Sequence, residues 1–86
     1  MTRHSVEISR TAEKQLRKLP TEDQRRVARA MLALGDEPHP PGSRKLVGYD
    51  DVFRIRVGVY RVLYSVSEKR LVIIILTIGH RKDVYR

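Results

Sequence analysis

Arg54, Arg56, Arg61 and Arg81 are the side chains of this 86-residue chain best suited to chemistry. The first three stand inside apolar stretches, Val52-Phe53-Arg54-Ile55-Arg56-Val57 and Val59-Tyr60-Arg61-Val62-Leu63. A strand sends successive side chains to opposite faces, so Arg54 and Arg56 should emerge together, away from Phe53, Ile55 and Val57. A guanidinium group offers a planar fork of donors and keeps its charge, so a row of them on a stiff sheet suits the holding of phosphates. The segment Ile78-Gly79-His80-Arg81 and the later Tyr85 add an imidazole, a further guanidinium and a phenol. An imidazole can give or take a proton near neutral pH. The three histidines, His4, His39 and His80, lack metal-ligand spacing, and no glycine motif is placed to cradle a phosphate. No metal and no cofactor are expected.

The balance of charge points the same way. Eighteen basic and ten acidic residues give a net charge of +8. The excess is uneven, with +2 in residues 1–42 (8 basic, 6 acidic) and +6 in residues 43–86 (10 basic, 4 acidic). Such a bias calls for an anionic partner. Nucleic acid comes first, an acidic protein second and an anionic membrane surface third. Arginines placed within strands favour nucleic acid. The absence of cysteine fits a reducing cytoplasm. The N-terminus lacks the apolar stretch of a secretory signal, and the longest apolar run, Leu71 to Leu76, is too short to span a bilayer. That run reads as a strand buried on both faces.

The length suits one domain, residues 1–86. Val6 and Ile8 alternate with polar residues and predict a strand over residues 3–9. Ala12, Leu16 and Leu19 recur at helical spacing, predicting a helix over residues 10–19 that Pro20 ends. Thr21 with Gln24 reads as a capping box opening a second helix. Val27, Ala30, Met31 and Leu34 form its apolar stripe, and Gly35 is placed to cap its end. A proline-rich connector follows over residues 36–43. Strands are predicted at Arg44–Val47, Val52–Val57, Val59–Val66 and Leu71–Ile78, with Gly58 marking a tight turn or bulge between two of them. The expected fold is α+β, in the order β-α-α-β-β-β-β. A helical hairpin covers one face of an antiparallel sheet and the arginines occupy the other.

Several stretches together carry a family resemblance. They are Leu16-Arg17-Lys18-Leu19-Pro20, Arg44-Lys45-Leu46 before Gly48, the strand containing Gly58, Tyr60-Arg61-Val62 and Tyr64, and the ending Gly79-His80-Arg81 with Tyr85. With the order of elements, they resemble the RelE toxins of the RelE/ParE superfamily of toxin–antitoxin modules. The resemblance covers nearly the whole chain. It implies a ribosome-dependent endoribonuclease that enters the 70S ribosome's A site and cleaves mRNA there. The 2′-hydroxyl attacks the adjacent phosphate and leaves a 2′,3′-cyclic phosphate. It also implies an acidic, RelB-like antitoxin that binds the toxin in a hetero-oligomer, a cytoplasmic site of action and no membrane partner.

Carried over by position, Arg61 and Arg81 match arginines that stabilise the scissile phosphate. Tyr85 matches a tyrosine that serves cleavage or base stacking. Arg54 and Arg56 fall where many members have lysine. A guanidinium group does not release its proton below about pH 12, so neither arginine can be the general base. His80 or Tyr85 is then expected to move the proton while the arginines orient the phosphate. Arg44 and Lys45 are candidates for holding the RNA backbone. Tyr60 and Tyr64 share a strand face with Val62 and read as core. Two alternatives keep the fold and change the function: a ParE-like inhibitor of DNA gyrase, and a member that binds antitoxin without catalysis.

Overall fold

The computed structural model describes residues 3–80. The order is β1 (Ser5–Ile8), α1 (Arg10–Arg17), α2 (Thr21–Ala33), β2 (Arg44–Lys45), β3 (Val52–Val57), β4 (Tyr60–Ser67) and β5 (Val72–His80). The five strands make one sheet in the order β1-β5-β4-β3-β2. The pairs from β2 to β5 are antiparallel, as expected for close hairpins. β1 instead lies parallel to β5, with Val6 opposite Ile73 and Ile8 opposite Ile75, so the sheet is mixed. The two helices intervene between β1 and the other strands and return the chain to the opposite edge.

The helices cover one face. Ala12, Val27, Met31 and Leu34 are buried against Ile55, Val57, Val62, Tyr64, Val66, Ile73, Ile75 and Ile78, and Leu16, Leu19 and Ala30 pack on this core. The stripes read from the sequence therefore meet the inward side chains of β3, β4 and β5. Tyr60 and Tyr64 lie on this face too.

α1 starts at Arg10, as expected, whereas the start of α2 differs in detail. Ser9 caps α1: its Oγ accepts the Ala12 N–H at 3.0 Å and donates to the Leu76 carbonyl at 2.8 Å. At α2 the cap is Pro20, without a side-chain bond, and Thr21 is already helical. The Pro20 carbonyl accepts the Gln24 N–H at 2.9 Å, which starts the helix one residue before the expected cap. The Gln24 amide donates instead to the carbonyls of Leu19 and Arg17, fastening α2 to the end of α1. Gly35 follows the last turn of α2, where a Cβ would stand 2.8 Å from the His4 carbonyl oxygen and 3.2 Å from Val6 Cγ2. It allows α2 to close on β1, and the His4 N–H donates to its carbonyl.

β5 breaks its own alternation. Leu63 pairs with Thr77 but Tyr64 pairs with Ile75, leaving Leu76 as an extra residue. Ile73 and Ile75 face the helices, the bulge intervenes, and Ile78 returns to the core. Nor is the apolar run buried on both faces, because Ile74 is 37% exposed on the side away from the helices. Beyond the end of β1, Gln15 of α1 covers the edge of β5, and its Oε1 accepts the Ile78 N–H at 2.6 Å. The proline connector is held down by aromatic residues. The Tyr64 hydroxyl donates to the Pro38 carbonyl at 2.8 Å, and His39 meets Phe53 edge-on with ring centroids 4.6 Å apart.

Candidate functional site

On the face opposite the helices, strand alternation places Arg54 and Arg56 of β3 beside Arg61 of β4. Arg56 pairs directly with Arg61, and Arg44 of β2 pairs with Arg54. The four arginines line one cleft of about 320 Å³, completed by Gly42 and Ile55. Arg44 and Arg56 are exposed and Arg54 and Arg61 half-buried, so the cleft has two charges at its rim and two set deeper.

Three features hold these groups in place. The core side chains of β3 and β4 fix the register that makes Arg56 and Arg61 a pair. Gly58, at φ +61°, turns the chain in two residues after Val57, one residue beyond Arg56. The tied-down connector brings Gly42 and then Arg44 to the cleft wall. Positive charge gathered in a partly desolvated concave surface attracts polyanions and holds them more firmly than the same charges spread over open surface.

The other candidates fall elsewhere. Lys45 pairs with Phe53, so alternation turns it away from Arg44, and it lines a separate hollow with the loop from Leu46 to Asp50. His80 pairs with Tyr60 at the end of β5, and their rings meet edge-on with centroids 6.3 Å apart. Its neighbour Gly79, not His80, shares the arginine side, since Gly79 pairs with Arg61. The structure thus joins Arg44, Arg54, Arg56 and Arg61 but does not bring Lys45 or His80 into their cleft. Arg81 and Tyr85 lie outside the described residues.

Sequence reasoning missed the network that steadies this end of the sheet. The Tyr60 hydroxyl donates to Asp23 Oδ2 of α2 at 2.7 Å. That hydrogen bond, with burial and the nearby carboxylate charge, holds the Tyr60 phenol above its ordinary pKa of 10.0. The signal available was Asp23 in the first turn of α2, where the positive end of the helix dipole is by itself reason enough for an acidic residue.

A helical hairpin over one face of a mixed sheet, with an arginine-lined cleft on the other, defines the class: a small α+β protein built to present a basic concave surface. Comparison with known proteins narrows it. Residues 6–85 match the family described as the ParE toxin of type II toxin–antitoxin system, parDE. The chain is 35% identical to Toxin RelG of Mycobacterium tuberculosis, over 96% of this chain and 97% of the relative. It is 32% identical to the putative toxin RelE1 of Methanocaldococcus jannaschii, over 95% and 94% of the two chains. Among solved structures, the archaeal RelE–RelB complex from Pyrococcus horikoshii superposes with a TM-score of 0.83 at 37% identity, covering 98% of this chain and 100% of the other. The chain belongs to this RelE/ParE family and is a RelE-like toxin of the type II toxin–antitoxin class.

Proposed function

We propose that this toxin is a ribosome-dependent endoribonuclease that cuts mRNA in the A site and so stops translation. The observation that carries the reading is the convergence of Arg44, Arg54, Arg56 and Arg61 on one cleft. In the proposed reaction the 2′-oxygen loses its proton and attacks the adjacent phosphorus. The bond from phosphorus to the 5′-oxygen breaks, and that oxygen leaves with a proton. The products are a 2′,3′-cyclic phosphate and a 5′-hydroxyl. Charge builds on the non-bridging oxygens, and fixed guanidinium donors lower the barrier by stabilising them before reaction begins. Arg61 and Arg81 hold the scissile phosphate, while Arg54, Arg56 and Arg44 grip the flanking backbone. An internal nucleophile of this kind needs no metal.

Proton transfer falls to Tyr85 or His80. Because His80 is turned towards Tyr60, Tyr85 is the better assignment. The ribosomal target places the toxin in the cytoplasm. An acidic RelB-like antitoxin completes the reading, supported by the charge of +8 and by the RelE–RelB complex of P. horikoshii.

The test is inducible expression in a bacterium, with cleavage sites mapped by primer extension, beside an Arg61→Ala variant. Growth arrest with cuts confined to translated regions, lost in the variant, is the expected result. Arrest with DNA breaks and intact messages would overturn the reading in favour of gyrase inhibition.

A further inference from the structure

α2 carries a second cluster of arginines that the cleft does not use. Arg25, Arg26 and Arg29 are exposed, and with Glu22 they line a shallow hollow on the outer side of the helix. Positions three and four apart on a helix are neighbours, so Arg29 stands beside both Arg25 and Arg26. Among the described residues none of the three makes an ion pair, although Arg17 on α1 pairs with Glu13 at 3.3 Å and Arg3 with Asp36 at 3.0 Å. Like charges so placed repel one another; Glu22, one turn before Arg25 and Arg26, is the one carboxylate lining the hollow, so three positive charges face one negative there.

The cluster is next to the cleft. Arg26 reaches the β3–β4 turn, where its Nη1 would stand 3.3 Å from a Cβ on Gly58. The strand pair just before that turn, Val57 with Tyr60, is preceded by Arg56 with Arg61, which line the cleft. Two basic surfaces therefore lie on either side of one hairpin tip.

We propose that Arg25, Arg26 and Arg29 form a second RNA-binding surface, one that grips phosphate backbone without reading sequence and anchors the toxin independently of cleavage. The chemistry of the hollow selects this partner. Its lining is charged throughout, with no apolar side chain to seat the anchor of a folding acidic peptide. Apolar lining lies elsewhere on α2, in the groove between Ala30, Ala33, Leu34 and the prolines of the connector. Three guanidinium groups against one carboxylate, none of them in a described ion pair, suit a polyanion, whose release of counterions supplies sequence-independent affinity. The proposal rests on the reading that this toxin acts on RNA, and it is tested without cleavage.

The experiment compares the full chain with Arg25→Gln/Arg26→Gln/Arg29→Gln and with Arg61→Ala. Binding to 70S ribosomes without messenger, and to a plain RNA duplex, is measured across a series of salt concentrations. The triple variant should bind at least about tenfold more weakly, with the slope of log affinity against log salt reduced by about three units. Arg25→Lys/Arg29→Lys should keep the slope, since it keeps the charge. Arg25→Gln/Arg29→Gln, expected to lose about two units of slope, serves if the triple variant does not fold.

An unchanged slope and affinity on both probes would overturn the proposal. So would an unchanged slope joined to loss of antitoxin binding, which would make this a protein surface. Duplex binding with the predicted slope change, but no ribosome binding by the wild-type chain, would uphold this surface while removing the ribosomal reading.

Discussion

Tyr60 and Asp23 lock α2 to β4: the phenol donates to the carboxylate Oδ2 at 2.7 Å, across 37 residues of chain. The contact lies just beyond the Arg56–Arg61 pair and holds the helical layer against the end of the sheet that carries the cleft. The same bond should make the fold sensitive to alkali.

The sign of that sensitivity follows from the direction of the shift. The Tyr60 phenol is held above its ordinary 10.0, first by the Asp23 hydrogen bond, then by burial and the carboxylate charge. Burial pushes Tyr64 up as well, with a smaller opposing effect from the Ser43 hydroxyl. A group whose folded pKa is raised contributes stability that is complete below its unfolded pKa and lost as pH rises through the folded value. Thermal midpoints should therefore hold up to about pH 10 and fall above it. In Tyr60→Phe and Tyr64→Phe the neutral-pH midpoint should drop and the alkaline fall become shallower. An alkaline fall as steep in both variants as in the wild type would assign the loss to other groups.

Gln15 Oε1 accepts the Ile78 N–H at 2.6 Å. Leaving that half-buried donor unsatisfied should cost about 1–3 kcal/mol. Gln15→Ala should lose that much in urea denaturation, and the amide of Ile78 should exchange faster. Gln15→Glu, which keeps an acceptor oxygen, should lose much less.

At Gly35 an added methyl meets backbone first, the His4 oxygen at 2.8 Å, and then Val6 Cγ2 at 3.2 Å and the Leu32 oxygen at 3.3 Å. Gly35→Ala should therefore destabilise by about 1–3 kcal/mol, a typical cost of overpacking. Hydrogen exchange should show the damage concentrated in β1. A loss below about 0.5 kcal/mol would mean that α2 shifts freely against β1.

On the proposed cleavage reading, removing one cleft donor should matter far more than removing the imidazole outside it. Arg56→Ala should slow cleavage of ribosome-bound message about 10²-fold or more. His80→Gln should cleave within a few-fold of wild type, and Tyr85→Phe should be the slower of these two. Single-turnover cleavage on programmed ribosomes measures all three. A severe defect in His80→Gln alone would return the proton transfer to the imidazole.

Much of this architecture was legible in the chain. The stripes of Ala12, Leu16 and Leu19, and of Val27, Ala30, Met31 and Leu34, named the helix faces that pack. The alternation around Arg54, Arg56 and Arg61 named the face that gathers charge. What escaped was non-local or hidden in parity. Nothing near Val6 says that its strand will lie parallel to β5, because that choice depends on residues far along the chain. The side on which His80 falls was hidden by one residue of register. Counting by twos from Ile73 and Ile75 sets His80 beside the arginines, but the extra Leu76 reverses the count and turns it to Tyr60. A bulge leaves no mark in hydrophobic periodicity. The cap of α2 was misread because a proline carbonyl can open a helix as well as a threonine hydroxyl can.

The pairing of β1 with β5 also sets when the toxin can exist. Ser9 reaches Leu76 across 67 residues, and the whole β1 register is made with Val72 to Ile75. The first strand to leave a translating ribosome must therefore wait for the last before it has a partner. Contacts of such separation form late and slowly. A nascent chain stays without its completed sheet until β5 has emerged, which delays the assembly of a working toxin to that point.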